Sequence, residues 1–164
     1  IYYPPIDVTA HIFGVNSEEW KIEISKFGKL VYEISNISNK KTKTIISADH
    51  GLVNINTENR HDLNYSADLQ IYGDQRSVYI NGSKESVLEA FSQIPGVLLE
   101  KQELSCLLGE PTNEFLESIY PDFCFLVEDK NIIYPKHLSA NLKGYHGGLS
   151  KEELKIPIIE LSNY

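Results

Sequence analysis

The chain has 164 residues, of which 41% are hydrophobic, so it is long and apolar enough to fold around a core, and disorder is excluded. Its formal net charge is −8. Polymeric nucleic acid is therefore a poor partner, because no excess of positive charge is available to neutralise phosphates. No stretch reaches the roughly 20 apolar residues of a membrane-spanning helix, and no signal sequence opens the chain. We expect no membrane partner and a cytoplasmic location.

The two cysteines and the first residues give further expectations. Cys106 and Cys124 do not form a Cys-x-x-Cys motif, and two buried thiols are expected rather than a disulfide framework. The chain contains no methionine and begins Ile1-Tyr2-Tyr3-Pro4-Pro5. Because this opening is typical of the end of a buried strand, we expect the chain to be a piece of a longer protein.

In chain order, residues 1–3 predict the end of a strand, which the two prolines terminate. Asp7 and His11 follow with the spacing Asp-x-x-x-His, which places both side chains on one face if this stretch is helical. Alternatively, Asp7 caps a turn and His11 packs in the core. Residues 16–36 form the clearest predicted helix, capped by Asn16 or Ser17. Its apolar stripe should pack on a sheet and comprises Trp20, Ile24, Phe27, Val31 and Ile34.

The segment after this helix ends in a cluster of polar residues. Residues 44–48 form an apolar run that predicts a buried strand, and Asp49-His50-Gly51 follows it directly. The first fifty residues therefore predict a βαβ unit. In open α/β sheets ligands bind at the carboxyl ends of the strands, so a carboxylate and an imidazole that leave a strand together suit a metal-bound phosphate.

The middle of the chain alternates short strands and helices without a chemical motif. His61 lies in a predicted loop over residues 52–65 and is interpreted as a surface residue. The pattern then predicts a β-hairpin over 69–80, a helix over 84–93, a strand over 97–99, helices over 103–108 and 113–119, and a strand over 123–127.

The last region places one histidine among glycines. In Gly144-Tyr145-His146-Gly147-Gly148, the glycines let the backbone approach another group closely and leave the imidazole unobstructed. Ser150 and Glu153 have the spacing of a capping box for a short helix. Residues 156–159 predict a final buried strand.

Three candidate sites thus lie near predicted strand ends: Asp7 with His11, Asp49 with His50, and His146. Carboxylates and imidazoles are suitable ligands for zinc, and also for manganese or iron. Two such groups close together would form a two-metal site of the kind that stabilises a phosphoryl centre during in-line displacement.

These motifs resemble those of the type I phosphodiesterase/nucleotide pyrophosphatase family of the alkaline phosphatase superfamily. The segment from Asp7 to His11, with Gly14 and residues 17–19, looks like the first metal motif of that family. Residues 45–51 are similar to its second motif. Residues 144–153, followed by 156–158, look like its last metal histidine and closing strand, and related residues also occur in PglZ-type proteins of the superfamily.

The resemblance implies an α/β fold, an alkaline-phosphatase-like sheet with flanking helices, of which this chain is the C-terminal portion, with a small α+β insertion in the middle. Because the motifs lie at both ends, residues 1–56 and 141–164 are expected to form the core that carries the metal site. Residues 57–140 are expected to form an insertion or a continuation of the same domain. A sheet without its N-terminal strands would expose an edge, which predicts a dimer through that edge.

The resemblance also implies a role for each site residue. Asp7, His11 and His146 would hold one divalent metal ion, and Asp49 and His50 a second, with zinc expected and manganese or iron as alternatives. In the family, a threonine or serine nucleophile attacks phosphorus and forms a covalent phospho-enzyme. No threonine or serine precedes Asp7 here. The nucleophile is therefore expected upstream of Ile1.

The function that follows is metal-dependent hydrolysis of phosphodiester or pyrophosphate bonds in a small phosphate ester such as a nucleotide. One alternative is another branch of the superfamily, resembling phosphoglycerate mutase, phosphonate hydrolase or PglZ. A second is a catalytically inactive metal-binding module. A third is an α/β domain whose five candidate residues pack or form hydrogen bonds without metal.

Overall fold

The computed structural model describes residues 1–37, 42–134 and 142–161. The helices are α1 (Pro5–Phe13), α2 (Glu18–Ile37), α3 (Lys84–Phe91), α4 (Lys101–Leu108), α5 (Glu114–Ile119) and α6 (Lys151–Leu154). The strands are β1 (Thr44–Ser47), β2 (Val53–Asn54), β3 (Arg60–Asp62), β4 (Gln70–Gly73), β5 (Ser77–Asn81), β6 (Gly96–Glu100), β7 (Phe123–Val127), β8 (Ile132–Tyr134), β9 (Gly144–Tyr145) and β10 (Ile158–Leu161). The predicted α/β fold class is confirmed.

The chain forms two compact units. Among the described residues, unit 1 comprises 1–37, 42–54, 142–146 and 150–161, and unit 2 comprises 55–134 and 147–149. The boundary predicted between residues 140 and 141 lies outside the described residues. The division into a metal-site core and an insertion stays a prediction.

Unit 1 begins with α1 and α2, which are joined by a short turn. Ser17 Oγ accepts a hydrogen bond from the backbone N–H of Trp20 at 3.1 Å, so the cap predicted at this end of α2 is confirmed for Ser17. The turn is held by the side chain of Asn54, which accepts from Val15 N at 2.7 Å and donates to Val15 O at 3.0 Å. This contact ties the helical turn to β2.

The strand predicted for residues 1–3 is wrong. These residues are irregular, and Ile1 is fully exposed. Pro4 and Pro5 have no backbone N–H to donate to a sheet, and Pro5 instead opens α1, where a missing N–H costs little. Unit 1 therefore starts with helices, and the predicted βαβ unit is wrong as well.

The strands of unit 1 form antiparallel pairs between distant segments. β1 pairs with β10, with Ile45 opposite Glu160 and Ile46 opposite Ile159, and β2 pairs with β9. The final strand is thus confirmed, but its burial is wrong, because Ile158 and Ile159 are 78% and 48% exposed. β1 is likewise only half-buried. The dimer predicted through a sheet edge stays a prediction.

The apolar stripe of α2 is not buried in the part of the chain that the structure describes. On this helix Glu23 is the buried residue, and the stripe lines a cavity of about 1270 Å³ in unit 1. The expectation that the stripe packs on a sheet is therefore wrong for the described residues. The same cavity is lined by Ile45 and Ile46 of β1 and by Asp7, Asp49 and His50.

Unit 2 is built on a four-stranded antiparallel sheet with the order β4-β5-β7-β6. The hairpin predicted over residues 69–80 is confirmed, with Ile71 opposite Ile80. α3 covers one face of the sheet, and Phe91 packs on Phe125 with ring centroids 4.6 Å apart. The helices and strands predicted over 84–127 are confirmed with shifts of a few residues at their ends.

The loop predicted over residues 52–65 contains two short strands, because β2 pairs with β9 and β3 pairs in parallel with β8. His61 lies on β3, half-buried, and one ring nitrogen contacts Asn131 Oδ1 at 2.9 Å, so its assignment to the surface is wrong. Of the two cysteines, Cys124 is buried as expected and Cys106 is exposed, contrary to the prediction.

Among the described residues no helix, α2 included, combines the length and the hydropathy that crossing a bilayer requires.

Candidate metal centre

Asp7 and His11 lie one turn apart on α1. The helix brings His11 Nε2 to 3.4 Å from Asp7 Oδ1, and both side chains are partly exposed. The prediction that a helix places Asp7 and His11 on one face is therefore confirmed. Since Asp7 lies in the first turn, its charge also suits the positive end of the helix dipole.

The ring of His11 is oriented by β9. Its Nδ1 lies 2.8 Å from Gly144 O, and because a carbonyl oxygen can only accept, Nδ1 carries the proton in this contact. A second bond, from Lys143 N to His11 O at 2.7 Å, fixes the same two segments. The approach requires glycine at position 144, because a Cβ there would lie 2.5 Å from Ala10 O. The close backbone approach predicted for this glycine-rich segment is confirmed at Gly144.

His146 follows β9 directly and completes a group of three with Asp7 and His11. One ligand atom from each of the three residues lies within 4.8 Å of the other two. The rings of His11 and His146 are 5.1 Å apart at an angle of 61°. A carboxylate and two imidazoles at this spacing are a suitable donor set for zinc.

Among the described residues, Asp7 lacks the hydrogen bonds that another carboxylate of unit 1, Glu23, accepts. Glu23 accepts from the Tyr3 hydroxyl at 2.6 Å and from Lys26 Nζ at 2.9 Å, and these two bonds, the Tyr3 bond first, lower the pKa of Glu23. Asp7 Oδ1 is buried and has no hydrogen-bond partner in the described part of the chain. Burying such an oxygen without a partner is unfavourable.

The geometry around Asp7 fits a cation. With the proton on Nδ1, a neutral His11 ring presents the lone pair of Nε2 toward Asp7 Oδ1, so two acceptors face each other at 3.4 Å. A metal ion would relieve this contact, and so would a second proton on the ring. The bond from Nδ1 to a backbone carbonyl is the outer contact typical of metal-binding histidines.

Asp49 and His50 lie beyond the end of β1, as predicted. The His50 ring stacks on His146 with centroids 3.8 Å apart and an interplanar angle of 21°. Its Nδ1 contacts Gly51 O at 3.1 Å, and its Nε2 lies 3.8 Å from Asp49 Oδ2. The Asp49 side chain is 76% exposed. This pair therefore forms an open half of the centre, next to the more enclosed half around Asp7.

A connection between Gly51 and α6 was not predicted. Gly51 N donates to Glu153 O at 2.8 Å, and a Cβ at position 51 would lie 2.0 Å from Glu152 O. The predicted capping box is confirmed: the Ser150 and Glu153 side chains each bind the other residue's backbone N–H at 3.3 Å. α6 thus holds the segment that carries His50. The Ser-x-x-Glu motif identified the cap, but no local pattern identifies its contact with Gly51.

The structure therefore brings Asp7, His11 and His146 together, places His50 against His146, and leaves Asp49 beside His50 at the surface. That these five residues bind metal stays a prediction.

Comparison with known proteins gives a match in structure. No protein-family model matches the chain, and no curated protein sequence does. Murine ectonucleotide pyrophosphatase/phosphodiesterase 5 matches with a TM-score of 0.70 and 15% identity, over 96% of this chain and 45% of that chain. The human protein of the same name matches with a TM-score of 0.69 and 16% identity, over 95% and 44%.

A bacterial hydrolase matches equally well. Phosphonoacetate hydrolase from Sinorhizobium meliloti 1021, in complex with phosphonoacetate, gives a TM-score of 0.68 and 15% identity, over 94% of this chain and 43% of that chain. The predicted resemblance to nucleotide pyrophosphatase/phosphodiesterase proteins is thus confirmed at the level of the fold. The chain spans about 45% of the length of the first of these proteins.

Proposed function

We propose that the chain carries the metal-binding part of a phosphoester hydrolase that cleaves phosphodiester or pyrophosphate bonds. The observation that carries the proposal is the convergence of Asp7, His11 and His146, whose ligand atoms lie within 4.8 Å of one another. The fold shared with a nucleotide pyrophosphatase/phosphodiesterase and with phosphonoacetate hydrolase supports it.

The five candidate residues divide into two sets. Asp7, His11 and His146 would hold one divalent ion, and Asp49 with His50 a second. Zinc is proposed for both, with manganese or iron as alternatives, because this mixture of nitrogen and oxygen donors suits all three. Bound ions would supply Lewis acidity toward a phosphoryl oxygen and stabilise the charge that develops during displacement.

Contacts within this chain orient the candidate ligands in the absence of metal ions. The Gly144 carbonyl fixes the tautomer of His11, so that Nε2 keeps a lone pair. His146 lies between the two sets, 5.1 Å from the His11 ring and 3.8 Å from the His50 ring. The exposed Asp49 carboxylate leaves its half of the centre open, which is where a phosphate ester could enter. The nucleophile is proposed to lie upstream of Ile1.

The proposed substrate is a small phosphate ester such as a nucleotide. A structure of an inactive variant of the murine phosphodiesterase contains AMP. The similar fold of a phosphonoacetate hydrolase complex favours a second candidate, cleavage of a phosphonate. Both candidates require the same metal centre, and a panel of nucleotide diesters and phosphonates separates them in a protein that also contains a nucleophile.

Zinc titration of the metal-free chain tests the proposed centre. We expect one zinc ion to bind tightly at Asp7, His11 and His146, and we expect His146→Ala to weaken this binding by more than about 100-fold, because one of three protein ligands is lost. The measurement is isothermal titration calorimetry with elemental analysis. His61→Ala is the matched control, since it removes an imidazole of unit 2 that contacts Asn131.

Other outcomes of the zinc titration would lead to different conclusions. Undiminished zinc binding by His146→Ala, with circular dichroism unchanged, would exclude the proposed ligand. Absence of zinc binding by the unaltered chain would contradict the proposed centre. Equal losses in the His146 and His61 variants would point to a general loss of folding.

A further inference from the structure

Unit 2 contains a second cavity, of about 320 Å³, which includes no residue of the candidate metal centre. Three tyrosines line it: Tyr72, Tyr79 and Tyr120. The other lining residues include Pro111, Leu116 and Glu110. The walls are therefore aromatic and aliphatic, with one carboxylate.

The backbone sets the positions of the three rings. Tyr72 and Tyr79 are directly opposite each other on β4 and β5, and their ring centroids are 5.8 Å apart with the planes tilted by 39°. Tyr120 follows α5, and its hydroxyl donates to Gly109 O at 3.1 Å. Tyr72 is 41% exposed, so the cavity is accessible from solvent.

Carboxylates lie near two of these rings, and Lys101, a cation beside the Tyr120 ring, is itself paired with Glu117 at 3.8 Å. The pKa of Tyr120 is raised, first by desolvation and then by Glu110, and the pKa of Tyr72 is raised by desolvation and by Asp122. Burial raises the pKa of Tyr79 as well. All three phenols stay neutral near pH 7, while the nearby carboxylates favour positive charge. Neutral apolar walls beside carboxylates are suited to a cation that has an apolar surface.

We propose that this tyrosine cavity, formed by Tyr72, Tyr79 and Tyr120 with Glu110, binds a small organic cation such as a quaternary ammonium or N-methylated amine. Aromatic rings attract such cations through their quadrupoles, and a methylated ammonium loses little hydration on entering. One cation of the chain already lies within cation–π range of these rings, since Lys101 Nζ is 5.8 Å from the Tyr120 centroid. Charge distinguishes this proposal from a general hydrophobic pocket, which would accept neutral groups equally.

The test compares tetramethylammonium with tert-butanol, a neutral probe of similar shape. Both are titrated into the metal-free, 15N-labelled chain, and binding is followed by two-dimensional NMR. We expect tetramethylammonium to bind in the millimolar range and at least about 5-fold more tightly than tert-butanol, because only the cation gains from the rings and Glu110. The shifted resonances should belong to residues that line the cavity.

Two variants and one control complete the test. Tyr79→Leu should weaken tetramethylammonium binding about 10-fold, and Glu110→Gln, which keeps all three rings, about 3-fold. Tyr65→Leu is the control, because Tyr65 is an exposed tyrosine of unit 2 that does not line the cavity. The proposal would be overturned if both probes bind equally or if tetramethylammonium does not bind. It would also be overturned if Glu110→Gln and a folded Tyr79→Leu both bind tetramethylammonium as tightly as the unaltered chain. Zinc is absent throughout, so the outcome is independent of the metal centre.

Discussion

Unit 2 contains a continuous hydrophobic core, in which Ile80 and Val87 are fully buried and Phe125 is 4% exposed. In the described part of unit 1, the buried apolar residues are Ala10, Val53 and Tyr145. All five candidate metal ligands nevertheless lie in unit 1. The chain thus separates the region that has a core from the region that has the candidate chemistry.

This difference in apolar burial indicates which contacts fix the geometry of the candidate centre. With little apolar burial around it, unit 1 depends on individual hydrogen bonds between distant segments, such as His11 to Gly144 and Gly51 to Glu153. Such bonds each contribute only about 1 kcal/mol, so their positions matter more than their number. In unit 2, by contrast, the sheet and α3 bury a continuous set of apolar side chains between them.

The largest expected difference between the units concerns apolar packing. Phe125→Ala should lower the free energy of unfolding of unit 2 by about 3 to 5 kcal/mol, because it leaves a cavity in a packed core. Phe27→Ala should cost unit 1 only about 1 kcal/mol, because Phe27 is half-buried and lines an open cavity. Urea unfolding followed by circular dichroism measures both, and fluorescence of Trp20, the single tryptophan, reports on unit 1. Equal costs for the two variants would contradict the comparison.

A smaller effect should distinguish two helix caps. Ser150→Ala and Asn113→Ala each remove a side-chain cap, at α6 in unit 1 and at α5 in unit 2, and each should cost about 1 kcal/mol of stability. Only Ser150→Ala should also weaken zinc binding, by several-fold, because α6 contacts Gly51 beside His50, whose ring stacks on the proposed ligand His146. Paired urea and zinc titrations measure the two effects. A similar loss of zinc affinity in both variants would mean that the capping box does not position the centre.

The smallest effect concerns pH and the pair formed by Tyr3 and Glu23. Their hydrogen bond lowers the pKa of Glu23 and raises that of Tyr3. The Glu23 contribution to stability is therefore present above its unfolded pKa and is lost as the pH falls through its lower folded value. The Tyr3 contribution is present below its unfolded pKa and is lost as the pH rises through its higher folded value.

Tyr3→Phe should therefore lower the thermal midpoint of unit 1 at pH 7 and approach the unaltered chain in strong acid and strong base. Tyr2→Phe, at a side chain that is exposed, is the control and should match the unaltered chain at every pH. Thermal unfolding at pH 3, 7 and 11 provides the measurement. A difference between Tyr3→Phe and the unaltered chain that does not vary with pH would exclude the hydrogen bond as its cause.

Features that depend on neighbours in sequence were predictable. The cap at Ser17, the hairpin with Ile71 opposite Ile80, and the capping box of Ser150 and Glu153 each involve residues close together along the chain. The pairing of β1 with β10, more than one hundred residues later, has no local signature, so the chain was expected to begin with a βαβ unit. The expectation that the stripe of α2 packs on a sheet was wrong for a related reason, because periodicity shows which face is apolar but not what covers it.

In the candidate site, too, contacts between residues close in sequence could be predicted, and contacts between distant residues could not. The spacing of Asp7 and His11 predicted their shared helical face, and the glycines around His146 predicted a close backbone approach. The partner in that approach, the end of α1, could not be predicted, because a contact between residues 10 and 144 depends on tertiary structure. The stacking of His50 on His146 likewise requires the folded chain.

The close approaches at Gly51 and Gly144 affect how a mutational tolerance map of this protein would be read. An added methyl group would lie 2.0 Å from a backbone oxygen at position 51 and 2.5 Å at position 144, and backbone oxygens cannot rotate away as a side chain does. In a saturation scan selected on metal retention, both glycines should therefore rank with Asp7 and His146 among the intolerant positions. Intolerant positions in this region will thus include the close backbone contacts of the centre as well as its metal ligands. Alanine at either glycine would test whether these contacts are needed for the centre to form.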